Sequence, residues 1–423
     1  MKMIPFWKDE FPHPQDLPSS PPPRQVDVAI VGGGYTGLHA ALRLAQYGAN
    51  VAVLEQGYIG TGASAINGGQ VAPGLKLPIR QIFKKYGPEL GGQLWQASVA
   101  AVNYLEQTLE QEQIDCDYTA TGGIALAFRP SHYSQMEHEA EWLAQHVNYH
   151  ETELVPRHRL REEVGSEAFY GGIVEKLGGG LQPAKYVYGL ARAAAKAGAC
   201  LCENTKALKI NSANGGFEVI TGRGNLKAGD VLMATNGYTD GLVPVIQRRI
   251  FTIGSYMIVT APLSPRMQHE LSPKNRVMYD TKWFLNYFRL TPDGRMSMGG
   301  RNNLSPNLDV VDSARALGEA LVRIFPQLRG VPITHTWSGK LGVTFNLMPY
   351  IDRVDGIYHA FGYAGHGVAL SGYLGKEAAD LIAGRAFTSP FFRIPPATSI
   401  FYHGEAWFLP LVARYYRVLD GLS

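Results

Sequence analysis

Residues 26–37 read VDVAIVGGGYTG, and this stretch decides the fold. The apolar run at 26–31 predicts a buried parallel strand, and the glycines Gly32, Gly34 and Gly37 follow it in the spacing GxGxxG. The next apolar residues, through Ala45, recur at helical spacing. A strand, a glycine turn and a helix in this order predict a Rossmann-type unit, in which the N-terminus of the helix binds phosphate.

A second strand and an acidic residue extend this unit. Residues 50–54 read NVAVL, and Glu55 follows at the end of the strand, 18 residues after Gly37. Rossmann-type sites place an acidic residue about 20 residues after the glycines, where it accepts hydrogen bonds from ribose hydroxyls. We therefore predict a dinucleotide site with Glu55 on the ribose; a tight turn with a solvated glutamate is the alternative. The motif alone does not say which dinucleotide binds.

Length and composition exclude several classes of protein. A chain of 423 residues is too long for one compact core, so two domains are expected. The formal net charge of +3 gives no support for a nucleic-acid partner, and three cysteines are too few for a disulfide framework or a metal site. No apolar run reaches the roughly 18 residues of a membrane helix, and the N-terminus lacks the apolar core of a signal peptide. We expect a cytoplasmic protein with no metal and no membrane association.

Residues 56–71, QGYIGTGASAINGGQV, are dense in small and polar side chains. The backbone of such a segment can approach a ligand closely, and its amides can line a pyrophosphate and the ring beyond it. NAD needs no such element directly after the second strand, whereas extended FAD needs one to cradle its isoalloxazine ring. We therefore predict FAD contacts here and in the first turn, from Tyr35, Thr36, Gln56, Gly62, Ala63, Ser64, Asn67, Gly68, Gly69 and Gln70.

The segment GASAINGGQ, residues 62–70, resembles the D-amino-acid-oxidase-like superfamily of FAD-dependent oxidoreductases. Within it, the chain looks most like the γ-glutamylputrescine oxidoreductase branch, and the resemblance runs from about Val26 to the last residues. It implies an α/β fold, with a Rossmann-type (glutathione-reductase-like) FAD-binding domain and an interrupting antiparallel-sheet substrate domain. It also implies an enzyme that oxidises the CH–NH group of a donor. Ile66 stands where that branch is expected to carry arginine, so identical substrate handling is not implied.

The resemblance implies further FAD contacts along the chain. One lies near the adenine, at Ala207. Another lies at residues 234–236, ATN, where a strand ends; an ordinary strand-to-loop exit is the alternative explanation of this pattern. Some relatives carry a flavin-linking cysteine near Gly339; none stands here, so non-covalent FAD is expected. The sequence GYAGHG at 362–367 precedes a long helix whose N-terminus, with about half a positive charge, would face the flavin; a plain glycine-rich helix start is the alternative. The contacts so implied are Ala207, Ala234, Thr235, Asn236, Gly339, Gly365, His366, Gly367 and Val368.

Residues 241–334 predict an antiparallel sheet, with strands at 253–260, 283–290 and 295–300 and a helix at 312–325. Alternation over 283–290 places Trp283, Tyr287 and Arg289 on one face. Aromatic side chains beside one arginine suit an amphiphilic substrate that carries a carboxylate, although an arginine at a solvated rim fits the pattern as well. We predict a substrate pocket of Tyr256, Trp283, Tyr287 and Arg289, with His366 between pocket and flavin; for His366, capping of the helix is the alternative.

These features predict a discontinuous domain organisation. The FAD-binding domain takes residues 26–90, 160–240 and 335–385, and the substrate domain takes residues 91–159 and 241–334. A proline-rich arm, residues 1–25, precedes them, and a tail, residues 386–423, is expected to pack on the body.

The function predicted from sequence is oxidation of the C–N bond of a secondary amine or amino acid. Hydride transfer to flavin N5 would give an imine that water hydrolyses, and oxygen or another acceptor would reoxidise the flavin. A polyamine conjugate, an N-alkyl amino acid and a cyclic imino acid all fit, and the oligomeric state is not predicted. The alternatives are an FAD-binding electron-transfer subunit and an NAD(P)-dependent dehydrogenase; a tRNA-modifying enzyme would need a more basic surface.

Overall fold

A computed structural model describes residues 1–300, 304–385, 389–399, 401–402 and 404–422. The helices are α1 Phe6–Glu10, α2 Tyr35–Gln46, α3 Ile79–Gln111, α4 Pro130–Val147, α5 Pro183–Lys196, α6 Pro244–Gln247, α7 Pro265–Leu271, α8 Val310–Ile324, α9 Gly367–Ile382 and α10 Leu409–Leu422. The strands are β1 Gln25–Val31, β2 Val51–Leu54, β3 Gln70–Val71, β4 Gly123–Leu126, β5 Thr152–Pro156, β6 Gly171–Glu175, β7 Gly179–Gly180, β8 Cys200–Cys202, β9 Ala207–Ala213, β10 Gly216–Thr221, β11 Gly224–Met233, β12 Ile250–Thr260, β13 Val277–Asp280, β14 Tyr287–Leu290, β15 Met296–Gly300, β16 Ile333–Thr344, β17 Tyr350–Val354 and β18 Ile357–Phe361.

The first sheet is built around β1, as its apolar sequence predicts. Its order is β17-β18-β11-β1-β2-β8, and β1 pairs in parallel with β2 and β11. The hairpin β9–β10 continues from β11 in antiparallel pairing. Helix α2 packs against α5 and α9, and it buries the apolar side chains that recur at helical spacing. The predicted Rossmann-type α/β fold is confirmed.

The turn between β1 and α2 can be made only with glycine at two positions. Gly32 has φ +111°, in the left-handed region that other residues avoid. A Cβ atom at Gly37 would overlap the carbonyl oxygen of Gly32. The turn is therefore tight enough for the N-terminus of α2 to start directly beneath the end of β1.

The second sheet is mostly antiparallel and has the order β16-β12-β15-β14-β13-β4-β6-β5. Helix α8 lies across it, and its side chains join a separate core cluster with Phe288 and Phe325. The strand predicted at 283–290 is wrong in its first half, because β14 starts only at Tyr287. Residues before it turn instead, since the Asn286 side chain donates to the Asp280 carboxylate at 2.7 Å.

Helix α3 ties together parts that the predicted domain organisation separates. It consists of two helical stretches that meet at a kink at Gly87, where φ is +81°, and the predicted boundary at residue 90 lies just inside the second stretch. Its buried side chains belong to the core cluster of the first sheet. The N-terminal arm also packs on the body, with Phe6 and Trp7 buried. In the described part of the chain, no helix combines the length and apolar character needed to cross a bilayer.

Candidate active site

A long cleft opens at the carboxyl ends of β1 and β2. The side chains and backbone of four glycine-rich or small-residue segments form its walls. Residues that the sequence analysis predicts as cofactor contacts and that line this cleft are Gly32, Gly34, Tyr35, Thr36, Glu55, Gln56, Gly62, Ala63, Ser64, Asn67, Ala207, Ala234, Thr235, Asn236, Gly365, Gly367 and Val368. The predicted contacts therefore come from distant parts of the chain to one surface.

Two helices begin at this cleft without a cap from the side chain of their own N-cap residue, although the Tyr35 N–H of α2 donates to Ser64 Oγ at 3.1 Å. Gly34 is the N-cap of α2 and His366 is the N-cap of α9, and neither position has a capping side-chain hydrogen bond. The first N–H groups of a helix have no partner within the helix, and its dipole places about half a positive charge there. Both helix ends therefore favour anionic groups of a ligand, and two separate anionic positions fit a pyrophosphate and an electron-rich ring.

The Glu55 carboxylate lies at one end of the cleft and is largely buried. Its Oε2 accepts a hydrogen bond from the Gly33 N–H at 2.9 Å, and its Oε1 accepts one from the Gly57 N–H at 3.0 Å. Burial raises the pKa of Glu55, although these backbone hydrogen bonds oppose the shift. Hydroxyl donors of a ribose would satisfy the remaining acceptor capacity of this carboxylate. The cleft therefore fits an extended dinucleotide such as FAD.

Asn67 shapes the loop at the opposite end of the cleft. Its side-chain amide donates to the carbonyl oxygens of Ala63 and Ser64, both at 3.0 Å, and its Oδ1 accepts from the Gly69 N–H at 2.8 Å. Gly69 has φ +66°, and a Cβ there would overlap the carbonyl oxygen of Leu181. Asparagine and glycine are therefore needed here to fold the loop, and Gly69 itself lines no described cavity.

An adjoining cavity lies between the first sheet and the second. Its walls include the predicted cofactor contacts Gly68, Gln70, Gly339 and His366. The long cleft and the adjoining cavity share a wall: Ala63, Asn67, Lys340, Leu341, Ala364, Gly365 and Val368. A ligand in the adjoining cavity would therefore meet a ring bound at this end of the cleft.

Of the five predicted pocket residues, the structure brings Tyr287 and His366 to the adjoining cavity. The hydroxyl of Tyr287 lies 2.9 Å from Ser255 Oγ. Tyr256 is placed wrongly, because alternation along β12 turns it to the opposite face, where its hydroxyl donates to the Ser305 carbonyl oxygen at 2.9 Å. Its neighbours Ser255 and Met257 face the cavity instead.

Arg289 and Trp283 also lie outside the walls of the adjoining cavity. Arg289 is buried under the loop that follows Ile66: its Nε donates to the Gly68 carbonyl oxygen at 2.9 Å and its Nη2 donates to the Leu181 carbonyl oxygen at 2.5 Å. Burial lowers the pKa of Arg289 to about 10, so the guanidinium stays charged at neutral pH. Trp283 is 53% exposed and stacks on Tyr416 of α10, outside the cavity.

Several cavity residues were missed by the sequence analysis. One of them is Trp337, which alternates with the predicted contact Gly339 along β16 onto the cavity face, so the periodicity of that strand could have found it. Lys340, at the shared wall, stands beside them. Lys76 comes from the loop before α3 and had no sequence signal. Ile66 lines the cavity with an apolar side chain. Among the described residues, no group of three or more His, Cys, Asp or Glu side chains could hold a metal ion.

Comparison with known proteins identifies the family. Residues 27–381 match the family model described as FAD dependent oxidoreductase (DAO). The chain is 34% identical over 405 residues to gamma-glutamylputrescine oxidoreductase of Escherichia coli (strain K12). This alignment covers 94% of this chain and 93% of that protein. It is 33% identical over 375 residues to the probable oxidoreductase OrdL of Haemophilus influenzae, over 86% of this chain and 85% of that protein.

Solved structures share the fold at low sequence identity. Glycine oxidase from Geobacillus kaustophilus superposes with a TM-score of 0.73 at 21% identity, over 89% of this chain and all of that one. L-proline dehydrogenase from P. horikoshii gives a TM-score of 0.72 at 21% identity, over 86% of this chain and 95% of that one. The predicted resemblance and the predicted cofactor, FAD, are confirmed by the family match. This chain belongs to the DAO family of FAD-dependent oxidoreductases.

Proposed function

We propose that this enzyme oxidises the C–N bond of a secondary amine or amino acid whose far end carries an acidic group. The observation that carries the proposal is the wall shared by the long cleft and the adjoining cavity, which includes Asn67, Lys340 and Gly365. A substrate in the cavity would reach a flavin in the cleft without crossing solvent. The relative from Escherichia coli is named gamma-glutamylputrescine oxidoreductase, after an amine.

The charges of the adjoining cavity support an acidic group on the substrate. Among its described lining residues, Lys76 and Lys340 carry positive charge, and none is aspartate or glutamate. A free polyamine end would be repelled by these charges, whereas a carboxylate would be attracted. Tyr279, Tyr287 and Trp337 supply aromatic surface for the carbon chain between the two ends.

Bound FAD would accept the hydride from the carbon next to the substrate nitrogen. The protein's share is to orient that carbon, to exclude water and to favour the neutral amine, because an ammonium nitrogen has no lone pair to assist the transfer. His366 lines the cavity at the N-terminus of α9. We assign its side chain to take the proton from the ammonium form of the substrate. The resulting imine would be hydrolysed by water to a carbonyl compound and a shorter amine.

An anaerobic screen of the holoenzyme tests this function. Each secondary amine is offered as a pair, with and without a terminal carboxylate at equal chain length, and the loss of visible flavin absorbance is followed. We expect the acidic member of a pair to reduce the flavin faster. Bound flavin that no amine reduces would contradict the proposal and favour an electron-transfer subunit. Repeating the screen in air distinguishes oxygen from another acceptor.

A further inference from the structure

Three consecutive carbonyl oxygens of the loop at 66–69 are bound by side-chain donors from distant parts of the chain. The indole N–H of Trp337, on β16, donates to the Ile66 oxygen at 2.8 Å. The indole N–H of Trp7, in the N-terminal arm, donates to the Asn67 oxygen at 2.8 Å. Arg289, on β14, donates to the next oxygen along, as described above. Each peptide of the loop is therefore held in one orientation.

Holding these oxygens also fixes the N–H groups of the same peptides. In a planar trans peptide, the C=O and N–H bonds point in opposite directions. The N–H groups of Asn67 and Gly68 therefore point away from the indoles of Trp337 and Trp7. Asn67 lines both the long cleft and the adjoining cavity, and Gly68 lines the cavity. The loop thus has its backbone donors set by residues outside it, at the place where the two cavities meet.

Trp7 is itself held firmly, although it lines neither cavity. Its side chain is 0% exposed, and its carbonyl oxygen accepts a hydrogen bond from the Gln182 side chain at 2.9 Å. The Arg289 guanidinium lies 4.9 Å from the centre of the Trp7 ring, within cation–π distance. Trp7 and Arg289 therefore form one unit that reaches the loop through two adjacent carbonyl oxygens.

The arm makes a second contact at the other end of the same segment. The His13 ring lies 2.8 Å from the Glu203 carboxylate, which also accepts a hydrogen bond from the Ile59 N–H at 2.7 Å. Ile59 follows Glu55 by four residues, beside the ribose end of the cleft. The arm therefore reaches both ends of the segment 56–70 that borders the long cleft, directly at Asn67 and through Glu203 at Ile59.

We propose that the N-terminal arm is a positioning element for the cofactor. By holding the Asn67 carbonyl oxygen, Trp7 orients the Gly68 N–H toward bound FAD, while Trp337 orients the Asn67 N–H and Arg289 fixes the peptide that follows. The inference concerns cofactor binding and goes beyond the proposed amine substrate. It assigns to Arg289 a role on the protein backbone in place of substrate recognition. It also gives a function in the enzyme to the arm, which the sequence predicts as an extended segment that apolar residues such as Trp7 could anchor, with a floppy tail as the alternative.

Trp7→Phe tests the proposal, because it removes the indole N–H and keeps a ring beneath Arg289. The dissociation constant for FAD is measured by titrating the apoprotein, and the visible spectrum of bound flavin is recorded. We expect the dissociation constant to rise about tenfold, which corresponds to about 1.4 kcal/mol, and the flavin absorbance bands to shift. Leu17→Ala is the matched control, since Leu17 is a buried arm residue and no hydrogen bond links it to the loop at 66–69.

The control should lower Tm and leave the FAD dissociation constant and spectrum unchanged. The proposal is overturned if Trp7→Phe also lowers Tm only, with wild-type FAD affinity and spectrum. If Trp7→Phe does not fold, Arg289→Lys is measured with the same two readings, because lysine keeps the charge but lacks the planar fork whose separate nitrogens reach the Gly68 and Leu181 oxygens. Neither reading requires an amine substrate, so failure of the proposed function leaves this test intact.

Discussion

The long cleft and the adjoining cavity differ in what they are made of. The cleft is walled mainly by backbone, brought close by glycines such as Gly32 and Gly365 and by two helix N-termini. The cavity is walled mainly by side chains, such as Trp337 and Tyr287, that stand on strands of the second sheet. A backbone site imposes small residues at fixed spacing on the sequence. A side-chain site leaves no such spacing, because strand register and covering loops decide which residues reach it.

The sharpest way to break this comparison is to add one methyl group to the backbone turn of the cleft. Gly37→Ala should abolish stable FAD binding, because the Cβ would overlap the Gly32 carbonyl oxygen and push α2 away from the phosphate position. We expect the FAD dissociation constant to rise at least about 100-fold, or about 2.8 kcal/mol. Absorbance of the purified protein measures its flavin content, and titration of the apoprotein measures the FAD dissociation constant.

Gly92→Ala is the control for this change. Gly92 also lies in a helix, α3, but its nearest outside atom would be Phe83 Cζ at 3.9 Å. Alanine there should keep the flavin and raise stability slightly, by about 0.5–1 kcal/mol. Wild-type flavin content in Gly37→Ala would show that the turn does not set the cleft.

A second prediction concerns the second sheet, whose strands carry many of the cavity side chains, and the pH dependence of its stability. Burial raises the pKa of Glu175, on β6, to about 7, and its carboxyl group contacts the hydroxyl of Tyr149 at 2.6 Å. Its folded-state pKa is higher than its unfolded one, so its contribution to stability is full below about pH 4.5 and is lost as the pH rises through 7. Glu175→Gln should remove this pH dependence, which amounts to about 3 to 4 kcal/mol at most.

Urea unfolding of wild type and variant between pH 4.5 and 8 measures the effect. Glu153→Gln, at an exposed position on the neighbouring β5, serves as the control and should leave the pH dependence unchanged. Parallel pH curves for wild type and Glu175→Gln would contradict the assignment of the titration to Glu175.

A third prediction sharpens the comparison within the cavity. Lys76→Gln should raise KM about tenfold for amines with a terminal carboxylate, because one charge–charge contact of about 1.4 kcal/mol is lost. KM for the matched amines without a carboxylate should stay unchanged. Lys84→Gln, at an exposed position on α3, is the control. Equal effects on both substrate classes would place the acidic end elsewhere.

The smallest effect is expected at Trp283, the residue that sequence alternation placed in the pocket. It lies outside the cavity, and its ring stacks on Tyr416 with centroids 5.1 Å apart. Trp283→Ala should lower the free energy of unfolding by about 0.5–1 kcal/mol and change kcat/KM less than about twofold. A tenfold loss in kcat/KM at wild-type stability would show that Trp283 does contribute to substrate turnover.

The same contrast explains what could be predicted from the sequence. Local patterns predict the turn from Gly32 to Gly37, the acidic residue Glu55 and the helix start at Gly367. The structure brings all three segments to the long cleft, with Gly37 packed against the Gly32 carbonyl oxygen behind it. Tyr256 was misplaced by one step of strand alternation, which period-2 reasoning on Ser255 and Met257 would have corrected.

Arg289 and Trp283 could not be placed from local sequence. The backbone that covers Arg289 belongs to Gly68 and Leu181, more than 100 residues away along the chain. Trp283 lies outside the cavity because β14 begins four residues later than expected and because α10 packs beside it. Contacts of this kind depend on tertiary packing, which no spacing of residues encodes.

The most direct test of the central claim is an anaerobic single-turnover measurement on the flavin-loaded enzyme with a carboxylate-bearing secondary amine. The account predicts that one carbonyl product and one shorter amine are formed for each flavin that loses its visible absorbance. Lys76→Gln should need a higher amine concentration to reach the same stoichiometry. Flavin that keeps its absorbance with every amine of this class, or that is reduced without formation of a carbonyl product, would contradict the account.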